Sequence, residues 1–246
     1  MAIFKVFLAV HVATGAIGLV ALWVPLLGRK GSPLHKTWGR VFAYALLVTN
    51  VCAVGMSVLT LHAPAETHPH IADVVLIESL FGWMMLYLSL FTATLLWFGL
   101  ECVRNRARHA AHRNATTLGL QLATFTSALS CAVMGWRSGQ PLMILIAGLG
   151  VTASVLNARF ILDPAPQPGE WLVQHMRSFV GAGVSVYTAF FSFGAANLLP
   201  AVAFNPLLWA APTIAGISVI LVQQRRLRAP RARRPAAGTA AARRAR

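Results

Sequence analysis

GSPLHKTWGRVF, Gly31–Phe42, sets His35, Lys36, Trp38 and Arg40 between two long apolar runs. Ser32-Pro33 reads as an N-cap followed by proline at the first helical position, so a helix starts here and carries its basic residues at its mouth. Upstream, Ile3–Leu27 is almost wholly apolar, and downstream the run extends to Leu61. Apolar helices of about 20 residues span a bilayer. The stretch is therefore a membrane-surface junction between two spans, and the fold class is an all-α integral membrane bundle. Composition agrees: 11% of the 246 residues are charged, against about 25% in soluble domains. The mean hydropathy is +0.65.

The same pattern extends along the chain to seven spans. After Ile3–Leu27 and Pro33–Leu61, the polar stretch HAPAETHPH breaks the run. The third span is expected over Ile71–Leu100, the fourth over Thr116–Gly135 and the fifth over Leu142–Leu162. The proline-rich DPAPQPGE separates the fifth from a sixth, Trp171–Leu199, and Pro206–Val222 makes a seventh. Residues 1–224 then form one transmembrane domain, and 225–246 an Ala/Arg/Pro-rich, disordered tail. Arg29, Lys30, Lys36, Arg40, Arg104, Arg106, Arg108, Arg113, Arg159 and Arg177 all fall on the face that also bears the tail; Lys5 and Arg137 fall on the other. By the positive-inside rule the N-terminus lies outside and the C-terminus in the cytoplasm of a bacterial inner membrane.

The net charge of +15 sits in the tail and in short loops between spans, a topology signal and not a nucleic-acid-binding face. The tail is suited to anionic lipid. The three cysteines, Cys52, Cys102 and Cys131, are far apart and make neither a disulfide framework nor a cysteine metal site. Lys5 and the apolar run after it lack a small-residue cleavage site before Arg29-Lys30, so the first span is expected to be retained.

Ionisable and polar residues within spans are costly, by roughly 2.5–3.5 kcal/mol for a charge, and each is a functional candidate. His11 and Glu78 form an outer group, both roughly 10–12 Å from the outer surface at 1.5 Å per residue. They are candidates for proton or ligand exchange, or for a hydrogen-bonded pair between helices. The loop His62, Glu66, His68 and His70 has donors for a divalent metal but reads first as solvated. An inner group joins His35 and His175, near the cytoplasmic starts of the second and sixth spans, with Arg40 and Arg177 close in sequence. Two histidines from different helices suit axial ligation of a b-type haem iron; arginines suit its propionates, a quinone head group or an anion. Gln121, Asn157, Tyr187 and Thr188 complete the candidates, with Arg159 at similar depth. Gly181, Ala182, Gly183 and Ser185 either make room for a planar ring or bring helices close together. Trp38 and Trp171 read as interfacial belt residues.

Several classes are excluded. Lysine occurs only at positions 5, 30 and 36, so no retinal Schiff base can form in the last span. His109 and His112, spaced HxxH in a basic loop, do not supply the intramembrane ligand set of a zinc hydrolase. There is no GxxxxGK[ST] loop and no internal repeat.

HVATGAIGL, LHKTWGRVFAY and HMRSFVGAGVSVYTAFFSFGAANLLP, taken together, resemble a bacterial family of polytopic membrane proteins defined as a domain of unknown function. The matching residues are His11, Gly15, His35, Gly39, Arg40, His175, Met176, Thr188, Ala189, Phe190 and Asn197, within residues 8–200. The resemblance implies the architecture and the choice of residues, and it implies no chemistry. Three readings fit. One is a haem- or quinone-linked membrane redox protein. The second is a transporter or binding protein for an anionic or proton-coupled ligand. The third is an accessory protein whose polar residues only join helices. Whether the chain is an enzyme is left open by all three.

Overall fold

The computed structural model describes residues 2–194 and 206–228, and every regular element among them is a helix. They are α1 (Ala2–Ala21), α2 (Trp23–Leu27), α3 (Pro33–His62), α4 (Pro64–Thr67) and α5 (Val74–Ile77). A π-helical stretch, Glu78–Met84, leads into α6 (Met85–Asn105), and a 3₁₀ turn, His109–His112, precedes α7 (Ala115–Arg137). Then come α8 (Pro141–Leu162), α9 (Glu170–Ala189) with a π-helical end, Phe190–Gly194, and α10 (Pro206–Arg228).

Among the described residues, five helices are long and apolar enough to cross a membrane: Ala2–Leu27, Pro33–His62, Val74–Asn105, Ala115–Arg137 and Pro141–Leu162. They coincide with the first five expected spans. The chain is thus a helical, membrane-type bundle. The end of the sixth expected span, 195–199, and the tail beyond 228 lie outside the described residues, as does Asn197; α10 carries the helix past the expected tail boundary to Arg228.

Local chemistry explains the starts and breaks. Ser32 Oγ accepts from the His35 N–H at 3.2 Å with Pro33 in the first turn, as expected. Asn114 and Asp73 cap α7 and the Val74 helix in the same way. The first span is interrupted at Leu22 because Pro25 has no N–H for Ala21 and its ring crowds that carbonyl. Helix order is now fixed. α6 is central and packs on α3, α7 and α9; α1 lies on α3 and touches α9; α7 pairs with α8, and α10 with α9. Ala21, Phe42, Ala43, Leu46, Leu95, Leu96 and Ala182 form the core where α1, α3, α6 and α9 meet. Trp38 packs on this core and Trp171 on the Phe98–Phe160 cluster, so both turn inward instead of serving only as a belt.

Candidate functional site

Three histidines on three helices share one arrangement. His11 Nδ1 lies 3.0 Å from the Thr49 carbonyl, His35 Nδ1 3.1 Å from that of Pro25, and His175 Nδ1 2.9 Å from that of Gly99. A carbonyl only accepts, so each Nδ1 carries a proton, and in the neutral ring Nε2 presents the lone pair. His35 and His175 are carried by α3 and α9, both of which pack on α6. The Phe179 ring backs the His175 ring at 4.5 Å and meets Phe42 at 5.8 Å. Beside Gly39, one turn after His35, there is open space: an added Cβ would meet no atom within 4 Å. The Pro25 carbonyl that His35 engages is also capped by Lys30 Nζ at 2.8 Å.

Arg40 and Arg177 are not grouped with these rings. At about 100° per residue, Arg40 lies roughly 140° around α3 from His35, and Arg177 roughly 200° around α9 from His175. Arg40 is exposed, and its Nε donates to the Lys36 carbonyl at 3.3 Å. Arg177 lines a separate cavity of about 210 Å³ between α6, α8, α9 and α10. The single His/Arg cluster expected from sequence is two sites on opposite faces of α9.

The cavity collects much of the remaining polar set. Asn157 and Thr188 line it with Arg177, and Asn157 Nδ2 donates to Gln121 Oε1 at 3.3 Å. Ser185 also lines it and shares a 2.6 Å hydrogen bond with Thr92. Tyr187 faces elsewhere. Its hydroxyl donates to the Leu19 carbonyl at 2.8 Å and accepts from Trp23 Nε1 at 2.6 Å, clamping α9 to the α1–α2 break. The residues that sequence reasoning missed here are Ser178 and Ser192. Ser178, Ser185 and Ser192 recur every seventh residue, the signal of one helix face.

His11 and Glu78 make no hydrogen bond or ion pair with each other; His11 is tied to α3 through Thr49, and Glu78 opens the π-helical stretch. Among the described residues no group of three or more His, Cys, Asp or Glu side chains could hold a metal ion, so the His62–His70 loop assembles no such site. His68 instead packs on Phe4 and Phe81, and burial pushes its pKa below the usual histidine value.

A second missed cluster lies at the α6–α7 connection. Glu101, 8% exposed, accepts from Asn105 at 3.1 Å and Asn114 at 3.5 Å. Its contact with Arg104 is to a side chain 76% exposed and adds little. Next to it His112 is fully buried against Phe98 and Phe160, and neither of its ring nitrogens has a hydrogen-bond partner. Comparison with protein-family models, curated proteins and solved structures finds no match.

Proposed function

We propose that this chain is a seven-span bacterial inner-membrane protein of the family it resembles, N-terminus outside and C-terminus cytoplasmic. It would hold one b-type haem between His35 and His175. Helices α9 and α10 supply the sixth and seventh spans, and the basic loops lie on the cytoplasmic side. The observation that carries the reading is the paired anchoring of His35 and His175 to the carbonyls of Pro25 and Gly99. Metal-binding histidines characteristically donate their other ring N–H in this way, which fixes the tautomer and aims the free nitrogen. Two imidazoles and the open space beside Gly39 suit the donor set of a bis-histidine site, which needs only two protein ligands. The group would supply a one-electron couple. The chain supplies ligation, orientation by the two carbonyls, and a dry aromatic backing from Phe179 and Phe42.

The test is a dithionite-reduced minus oxidised visible spectrum of protein made with haem precursor supplied. The wild type should show a b-type band that is absent in His35→Ala and in His175→Gln and present in His11→Ala. Glutamine can still donate to the Gly99 carbonyl, so that variant separates ligation from folding. A colourless wild type, or a band that survives His175→Gln, overturns the reading.

A further inference from the structure

The cavity on the other face of α9 carries two hydroxyls with no partner. Thr188 Oγ1 and Ser192 Oγ are buried without a hydrogen bond, and Ser192 is only 2% exposed. Several helical hydroxyls of this bundle turn back to the carbonyl one turn earlier (Thr49 to Ala45, Ser89 to Met85, Thr152 to Gly148, Ser218 to Ile214), and the other helical hydroxyls buried without a partner, Ser57, Ser79, Thr117 and Ser154, lie away from the cavity. Thr188 and Ser192 do not, and both line the cavity. A buried hydroxyl left unpaired is costly, so these two donors call for acceptors that the chain does not provide.

We propose that this cavity binds the head group of a para-quinone, whose two carbonyl oxygens accept from Thr188 and Ser192. The donors stand four residues apart, Thr188 on α9 and Ser192 in its π-helical end, and both border the same cavity, so one ring with carbonyls at opposite ends is offered both. At about 210 Å³ the cavity is smaller than the ~300 Å³ at which drug-sized pockets begin, which suits a single substituted ring. Its walls are largely apolar, with Leu88, Leu149 and Ile217, and Phe91 lies stacked on Tyr87 at 5.8 Å as an aromatic face for the ring. A neutral head is favoured over an anion. The charged residue of the lining, Arg177, already engages another group, and it lies eleven residues, roughly 16 Å along the helix, from Thr188. Electron exchange with a haem at His175 rests on the reading above; the binding does not.

The experiment titrates full-length protein in mild detergent with a benzoquinone bearing one isoprenyl unit, read by equilibrium ultrafiltration. Wild type should bind saturably. Thr188→Val and Ser192→Ala should each weaken binding about tenfold, the loss of one hydrogen bond to a buried donor. Ala189→Leu, which fills the cavity, should abolish binding while its melting temperature shows that it folds. His175→Gln, colourless under the haem reading, should bind quinone as wild type does, so the two proposals fail separately. Affinity unchanged in the Thr188→Val/Ser192→Ala double variant overturns the inference. So does displacement of the quinone by a medium-chain fatty acid whose own affinity depends on Arg177.

Discussion

Along α9, His175, Phe179, Ala182 and Gly183 face α1, α3 and α6, whereas Arg177, Gly181, Ser185 and Thr188 face the cavity. Both faces use small residues, with opposite results. Ala182 is fully buried in the core, and a Cβ on Gly183 would lie 2.7 Å from Leu22, so here smallness brings helices together. Gly181 and Ser185 leave a gap that α8 and α10 do not fill. In a bilayer, helix association depends on packing and hydrogen bonds, not on removal of apolar surface from water, so close approach at Gly183 directly stabilises the bundle. Smallness in a membrane helix therefore has no meaning of its own; the neighbouring helix decides whether it closes a contact or opens a site.

The sharpest way to break this contrast is on the closed face. Phe179→Ala removes the ring packed on His175, Phe42 and Gly99, and should cost about 3 kcal/mol, read as a lowered melting temperature in detergent. If it melts like wild type, the closed face is not the stabilising one. Next in size are the two glycines. Gly183→Ala should cost about 1 kcal/mol, because the end of the Leu22 side chain has to turn aside from the new Cβ, whereas the nearest atom to a Cβ on Gly181 is Leu95 Cδ1 at 3.3 Å, so Gly181→Ala should be close to neutral. Equal losses would erase the distinction. Tyr187→Phe, at the border of the two faces, removes one bond to Leu19 and one from Trp23, and should cost about 1 kcal/mol because Trp23 is half-exposed.

Much of this was legible in the sequence and some was not, for physical reasons. The first five spans followed from run length, and the Ser32-Pro33 start from capping chemistry. His35 and His175 stood out because imidazoles are costly in a bilayer. What a one-dimensional reading could not supply was rotation. Sequence proximity grouped Arg177 with His175, yet two residues along a helix is a turn of about 200°. The heptad of Ser178, Ser185 and Ser192 was on the page and marks a polar face, but only the helix order shows that the face meets a gap. The interruption at Leu22 was implicit in Pro25. The π-helical stretches at Glu78–Met84 and Phe190–Gly194 have no comparable signature in composition.

The smallest expected effect concerns neither face and so serves as their control. His112 sits in the 3₁₀ turn between α6 and α7, and its pKa is lowered from 6.5, chiefly by burial, then by His109, with Glu101 opposing. A histidine whose folded pKa is depressed is protonated first in the unfolded chain. Its contribution to stability is thus constant above about pH 7.5, falls as pH drops through 6.5, and stops falling only below the folded pKa. His112→Phe should flatten that slope and raise stability at every pH, because it removes two buried nitrogens with no partner while keeping a ring against Phe160. Glu101→Gln should extend the decline to lower pH by removing the one group that favours the imidazolium. Melting curves between pH 5 and 8 decide it. A slope that persists in His112→Phe would move the titration to His68, the other histidine between spans whose pKa burial lowers.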